Sequence, residues 1–121
     1  MAARILLGGV GKSDVASKIR EIGEEGLDVT ITNDMDAAMK LRAGQADYFF
    51  GTCHTGAGGS LGVLVGLLGS DNCMTFRRGL ARGEIVRDAL DEGKVAFGFS
   101  VDQIDQVVPA LLQGIRERAQ E

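Results

Sequence analysis

Cys53 and His54 end an apolar run, Tyr48-Phe49-Phe50-Gly51-Thr52, and open the turn Thr55-Gly56-Ala57-Gly58-Gly59-Ser60, which enters an apolar segment reaching Leu68. A turn so rich in glycine lets backbone N–H groups approach a guest. Where such a turn enters a helix, unpaired N–H donors and the positive end of the helix dipole favour an anion. The same position favours the thiolate form of a neighbouring cysteine, so Cys53 is the candidate base or nucleophile. His54 is the sole histidine. Adjacent residues on an extended segment point to opposite faces, so a working Cys–His pair requires the turn to bend them back together. Glycines also serve tight helix–sheet packing, and a buried cysteine is often inert filling.

The elements that must carry these residues are legible from pattern. Arg4-Ile5-Leu6-Leu7-Gly8 reads as the first, central strand, covered on both faces. Gly9-Val10-Gly11-Lys12-Ser13 turns it into a helix that Ser13 or Asp14 caps, with Val15, Ile19 and Ile22 at helical spacing through about Glu24 and Gly26 as the stop. Asp28 to Thr32 is a β-branched second strand. Asn33 or Asp34 then caps a helix carrying Met35, Ala38, Met39 and Leu41, which Gly44 ends. After the strand at Tyr48 to Thr52, a helix from about Gly58 to Leu68 places Gly58, Gly62 and Gly66 on one face. That face is expected to lie against the sheet, the other option being contact with its twin in a homodimer. Cys73 to Phe76 is a fourth strand leading to Arg77-Arg78-Gly79. A helix over Glu84 to Leu90 follows, then a fifth strand over Val95 to Ser100. The last helix starts near Asp102, with Ile104, Val107, Val108, Leu111, Leu112 and Ile115 inward and a kink or boundary expected at Pro109.

Five strands alternating with five helices predict one α/β domain over residues 1–121. Its expected architecture is three-layer αβα, a doubly wound five-stranded parallel sheet of Rossmann-like type. Ligands of such sheets bind outside the carboxyl ends of the strands, where the strand order reverses. The strand ends deliver Gly9, Gly11, Lys12 and Ser13, then Asn33 and Asp34, then Cys53 to Ser60, then Arg77 and Arg78, then Ser100. Lys12, Arg77 and Arg78 are the cations expected at that rim, which makes a phosphate or carboxylate the natural guest. Asp34, Asp47 and Asp102 are able to orient hydroxyls or act as bases, with helix capping the alternative for Asp34 and Asp102.

Composition narrows the field. The 121 residues carry a formal charge of −4 and few aromatics, which disfavours a general nucleic-acid grip. No segment has the length of a membrane span or the layout of a secretory signal, so a cytoplasmic protein is expected. Cys53 and Cys73 are read at opposite ends of neighbouring strands and therefore as two free thiols. One histidine and two separated cysteines supply too few ligands for a structural zinc, and no metal or cofactor is expected. Gly8-Gly9-Val10-Gly11-Lys12-Ser13 is too short for a nucleotide-binding P-loop, because Leu6 stands where the first glycine belongs. Asp14 stands where a dinucleotide fingerprint needs its third glycine.

The chain resembles a small bacterial family, the YhfU-like proteins. That likeness is carried by Asn33-Asp34-Met35-Asp36-Ala37-Ala38-Met39-Lys40, Gly44-Gln45 with Asp47-Tyr48, Thr55-Gly56-Ala57-Gly58, and Gly93-Lys94-Val95-Ala96-Phe97-Gly98 with Ser100-Val101. It implies a fold more than a function. More distantly, Gly44-Gln45-Ala46-Asp47 followed by Cys53-His54-Thr55-Gly56-Ala57-Gly58-Gly59-Ser60 is similar to the type B ribose-5-phosphate isomerases and galactose-6-phosphate isomerase subunits. That resemblance implies that Cys53 is the base moving a proton between sugar carbons, that Gly56, Gly58 and Gly59 cradle the oxyanion, and that a second subunit completes the site. Two segments depart from it: Gly9-Val10-Gly11-Lys12 replaces an Asp-His pair, and Val63-Leu64-Val65 replaces an Ala-Asn-Lys segment. A related cysteine turn occurs in the IIB components of sugar phosphotransferase systems, there after the first strand.

The expected function is binding of a small anionic metabolite, a sugar phosphate or related carbonyl compound, with isomerase-like proton transfer by Cys53. The alternative is a non-catalytic binding or accessory subunit of a metabolic enzyme or phosphotransferase-type system. Catalytic roles are assigned to Cys53 and His54. Ligand contacts are assigned to Gly9, Gly11, Lys12, Ser13, Asn33, Asp34, Thr55, Gly56, Ala57, Gly58, Gly59, Ser60, Arg77, Arg78 and Ser100. Self-association as a homodimer or higher homo-oligomer is expected, with no nucleic acid or membrane partner.

Overall fold

Short apolar runs bounded by glycines, too brief for helices, pair side by side and leave the longer amphipathic segments to cover them. The computed structural model describes residues 2–54, 61–77 and 82–120. In chain order it contains β1 (Ala3–Gly9), α1 (Lys12–Ile22), β2 (Leu27–Ile31), α2 (Asp34–Arg42), β3 (Tyr48–Cys53), α3 (Gly62–Leu68), β4 (Cys73–Thr75), α4 (Gly83–Asp91), β5 (Ala96–Ser100) and α5 (Ile104–Ala119). Single 3-10 turns at Ser70–Asn72 and Val101–Gln103 lead into β4 and α5. The strands form one parallel sheet in the order β2-β1-β3-β5-β4, flanked by helices on both faces, which is the Rossmann-like αβα architecture expected. Among the described residues no helix is long and apolar enough to cross a membrane.

Period-two alternation divides the core. Ile5, Leu7, Phe50, Phe97 and Phe99 face α1, α4 and α5 with Val107, Val108, Leu111, Leu112 and Ile115 of α5 packed onto them. Leu6, Phe49 and Ala96 face the other way, where α2 and α3 bring Ala37, Ala38 and Leu64. Among the described residues three helices thus cover one face and two the other, and the second core is the smaller.

Several details differ from the sequence reading. The middle strand is β3, not β1, and β5 inserts between β3 and β4. Cys53 and Cys73 are therefore not on neighbouring strands, and neither is in a disulfide. Burial pushes the Cys73 thiol pKa up, with nearby Lys94 opposing. Gly11, not Ser13 or Asp14, occupies the cap position of α1, and the helix closes at Gly23 rather than Gly26 because the first glycine already supplies the positive φ of 125°. Ile22 is exposed, since a helix ending there turns its last apolar residue past the core edge. Asn33 is the cap of α2, its side chain accepting the Asp36 N–H at 2.8 Å. Of the apolar residues read on that helix, Met35 and Met39 point outward, while Ala38, with Ala37, is buried against the sheet. Gly62 and Gly66 likewise do not meet the sheet: a Cβ at either would enter open space. Gly58 lies outside the described residues. Helix α5 runs through Pro109 rather than ending at Val108. One missing N–H is outweighed there by the continuous apolar face on either side.

At the amino edge, opposite the strand ends where ligands are expected, Asp47 is locked to Arg4. Its Oδ2 accepts the Arg4 backbone N–H at 2.8 Å and Nε at 3.2 Å, and its Oδ1 accepts Nη2 at 3.2 Å. The Asp47 N–H returns to the Arg4 carbonyl at 2.9 Å, so the starts of β1 and β3 are clamped together. This removes Asp47 from the expected hydroxyl-binding or base roles. The Arg4 side-chain hydrogen bond holds the Asp47 pKa below the usual carboxylate value despite opposing desolvation. A lowered folded-state pKa means stability that is present above the unfolded carboxylate value of about 3.9 and lost as pH falls through the folded one. Asp47→Asn is accordingly expected to unfold at a lower temperature than the parent at pH 7. That gap should shrink on acidification below pH about 4; thermal melts followed by circular dichroism across pH check it.

Candidate functional site

The connections after β1 and β3 leave the sheet on opposite sides, α1 to one face and α3 to the other, so the strand order reverses between these two neighbours. Thr52, the polar residue near the end of an otherwise apolar strand, governs this point. Its carbonyl accepts the Val10 N–H at 3.2 Å, and its Oγ1 accepts the Gly11 N–H at 2.8 Å while donating to the Gly8 carbonyl at 3.3 Å. Thr52 is 1% exposed, and the approach it enforces dictates the glycines. Gly9 has φ +90°, and a Cβ there would lie 2.0 Å from the Thr52 oxygen. At Gly11 a Cβ would lie 2.9 Å from Val101 Cγ1, so the 3-10 turn after β5 closes against the same connection. The amide hydrogens of Val10 and Gly11 are thereby spent on Thr52.

Beside this junction, towards β2, a hollow of about 300 Å³ is lined by Gly9, Val10, Lys12, Thr32, Asn33 and Asp34. Four of these are residues the sequence singled out for ligand contact. Lys12 brings the positive charge, its Nζ donating to the Thr32 carbonyl at 3.3 Å. Asp34 brings a carboxylate, whose Oδ1 accepts the Met35 N–H at 2.9 Å. The Thr32 hydroxyl donates to Asp36 at 2.6 Å, and together with Lys40 that bond lowers the Asp36 pKa. The floor is thus a preorganised set of polar groups with one ammonium and one carboxylate at its rim. Ser13 follows Lys12 in the first turn of α1 but does not line the hollow.

Cys53 and Ser100 are level in the β3–β5 register. Counting by twos from Phe49 and Ala96 puts both side chains on the α2–α3 face. Cys53 is half-buried, with Sγ 3.8 Å from the Phe99 carbonyl oxygen, and His54 is exposed. The Ser100 hydroxyl is enclosed: it donates to Gln103 Oε1 at 2.9 Å and lies against Asp102 Oδ1, while the Ser100 N–H donates to Gln103 Oε1 at 2.9 Å. Asp102 is a partner of Ser100, with Gln103 completing the capping box instead. Gln103 went unnoticed in the sequence because a polar residue at a helix start carries no burial signal, yet it is 3% exposed and its Nε2 has no acceptor among the described residues. Thr52 had one available signal, a hydroxyl inside an apolar run.

The expected cations do not gather. Arg77 is exposed beyond β4, and β4 lies three strand spacings from β1, about 14 Å. Lys12 is drawn the opposite way, onto β2. Arg78 and the whole turn Thr55, Gly56, Ala57, Gly58, Gly59 and Ser60 lie outside the described residues. Among the described residues no group of three or more His, Cys, Asp or Glu side chains is placed to hold a metal ion.

If Thr52 governs the junction, Thr52→Val strands the buried Gly11 N–H and should cost about 1–3 kcal/mol. Gly9→Ala, which meets backbone, should cost at least about 2 kcal/mol. Urea denaturation midpoints measure both, and unchanged midpoints would remove Thr52 from this role.

The fold is shared with known proteins. A ribose 5-phosphate isomerase from Thermotoga maritima superposes with a TM-score of 0.65 at 12% identity, covering 93% of this chain and 87% of that one. At that identity the likeness is one of fold. In sequence, the uncharacterised protein YhfU of Escherichia coli (strain K12) is 34% identical over 115 residues, covering 93% of this chain and 98% of that one, and YhfU of Shigella flexneri matches equally. With residues 3–115 matched by the family described as Protein of unknown function DUF2620, the chain belongs to that family.

Proposed function

We propose that this protein binds a small anionic metabolite, a sugar phosphate or related carbonyl compound, at the carboxyl edge of its sheet. The observation that carries the reading is the hollow uniting Lys12 with Asn33 and Asp34 beside the reversal of strand order. Lys12 supplies the charge for a phosphate, and Asp34 accepts hydrogen bonds from hydroxyls. The fold shared with a ribose 5-phosphate isomerase supports the same substrate class. In the catalytic form of the reading Cys53 is the general base of an isomerase-like proton transfer, with His54 beside it and the turn Thr55 to Ser60 holding the developing oxyanion. The protein acts as a cytoplasmic homo-oligomer.

A second, non-catalytic reading, a binding or accessory subunit, is favoured by the state of the junction. The Val10 and Gly11 amides and the Ser100 hydroxyl are already taken by the protein itself.

Two measurements separate these. Ribose 5-phosphate or inorganic phosphate at ten times its dissociation constant should stabilise the protein by about 1.4 kcal/mol. Lys12→Ala should lose that gain, and no shift in the parent removes the binding reading. Iodoacetamide labelling across pH tests the base, with Cys73 as the internal control. The catalytic reading requires Cys53 to react near neutral pH, ahead of the buried Cys73. Labelling of Cys53 only above pH about 8.5 leaves the non-catalytic reading.

A further inference from the structure

We propose that α2 and α3 together form the face on which two copies of this chain associate, about a two-fold axis that sets α2 antiparallel to its counterpart. The inference rests on the homo-oligomer in the reading above and assigns its surface.

The two helical layers differ in kind. The outer surface of α1, α4 and α5 is laced by ion pairs, Lys18–Asp105, Arg87–Glu117 and Arg118–Asp91. Among the described residues the other layer consists of α2 and α3, packed against each other, with the ion pair Lys40–Asp36 within α2. Helix α3, Gly-Val-Leu-Val-Gly-Leu-Leu, has no polar side chain at all, yet Val65 and Leu67 are each 39% exposed and Gly62 and Gly66 open onto space. On α2, Met35 and Met39 are one helical turn apart and 51% and 62% exposed. A surface helix apolar all round requires cover, and unbranched methionines beside open glycines form a deformable surface into which another backbone fits closely.

Charge selects the occupant. Helix α2 carries Asp34 and Asp36 in its first turn and Lys40 and Arg42 in its last. A uniformly acidic or basic partner would match one end and repel the other. Asp36 and Lys40 pair within the helix at 3.0 Å, and a second, antiparallel copy matches both ends by bringing Asp34 towards Arg42 and Met35 towards Met39, as a two-fold, self-complementary contact demands.

Light scattering coupled to size exclusion on the full chain tests this. The parent is expected at twice 12.8 kDa, and Met39→Glu and Val65→Glu each at 12.8 kDa, with circular dichroism unchanged. Asp34→Lys and Arg42→Glu are each expected to lose the dimer, and mixing the two variants to restore it, a recovery that a folding defect does not produce. A parent dimer unaffected by Met39→Glu and Val65→Glu overturns the assigned face and leaves self-association standing. A parent that stays at 12.8 kDa at all concentrations overturns both, while the phosphate melts judge ligand binding separately.

Discussion

The structure turns on the clasp between the ends of β1 and β3, where Thr52 takes the Val10 and Gly11 amide hydrogens through its carbonyl and hydroxyl. The constraint is one of distance: backbone meets backbone so closely that a Cβ at position 9 has no room. These two strands are fixed at one end by Thr52 and at the other by Arg4 and Asp47, and because their right-handed crossovers run in opposite directions along the sheet the helices that follow them depart to opposite faces. The hollow beside the clasp opens between the connections after β1 and β2, whose helices α1 and α2 likewise leave on opposite faces. A chain needing unsatisfied amides at this point would have to find them elsewhere, because burying them unpaired here would be costly.

The two faces of the sheet are built by different means. On one, four phenylalanines, Phe50, Phe76, Phe97 and Phe99, meet the long apolar stripe of α5 and fill a core that charged pairs seal from outside. On the other, the inward positions of α2 are alanines, so the helix sits close and its larger methionines have nowhere to go but outward. Exposure of apolar side chains on that layer is a consequence of small residues inside. The candidate site opens at the carboxyl edge shared by both layers, so its walls come from one well-filled face and one thinly covered one.

Much was legible in the amino-acid sequence because it depends on local spacing. Apolar runs such as Ile5-Leu6-Leu7 and Phe97-Gly98-Phe99, alternating with helical stripes such as Val107, Val108, Leu111, Leu112 and Ile115, are enough to determine strands, helices, their order and a parallel αβα sheet. Period and length are properties of neighbouring residues. The same holds for Lys12, Asn33 and Asp34, which any parallel sheet must deliver to its carboxyl edge. What only the tertiary structure decided is adjacency and facing. Local patterning carries no record of which strand lies next to which, so β3 as the middle strand, β5 between β3 and β4, and the separation of Arg77 from Lys12 came from long-range pairing. Nor does it tell an inward stripe from an outward one when alanine and methionine share a helix, or reveal that Gly62 and Gly66 look outward and that Thr52 consumes the amides beside it. Those outcomes are set by close packing between segments far apart in the chain, where a tenth of a nanometre selects the partner.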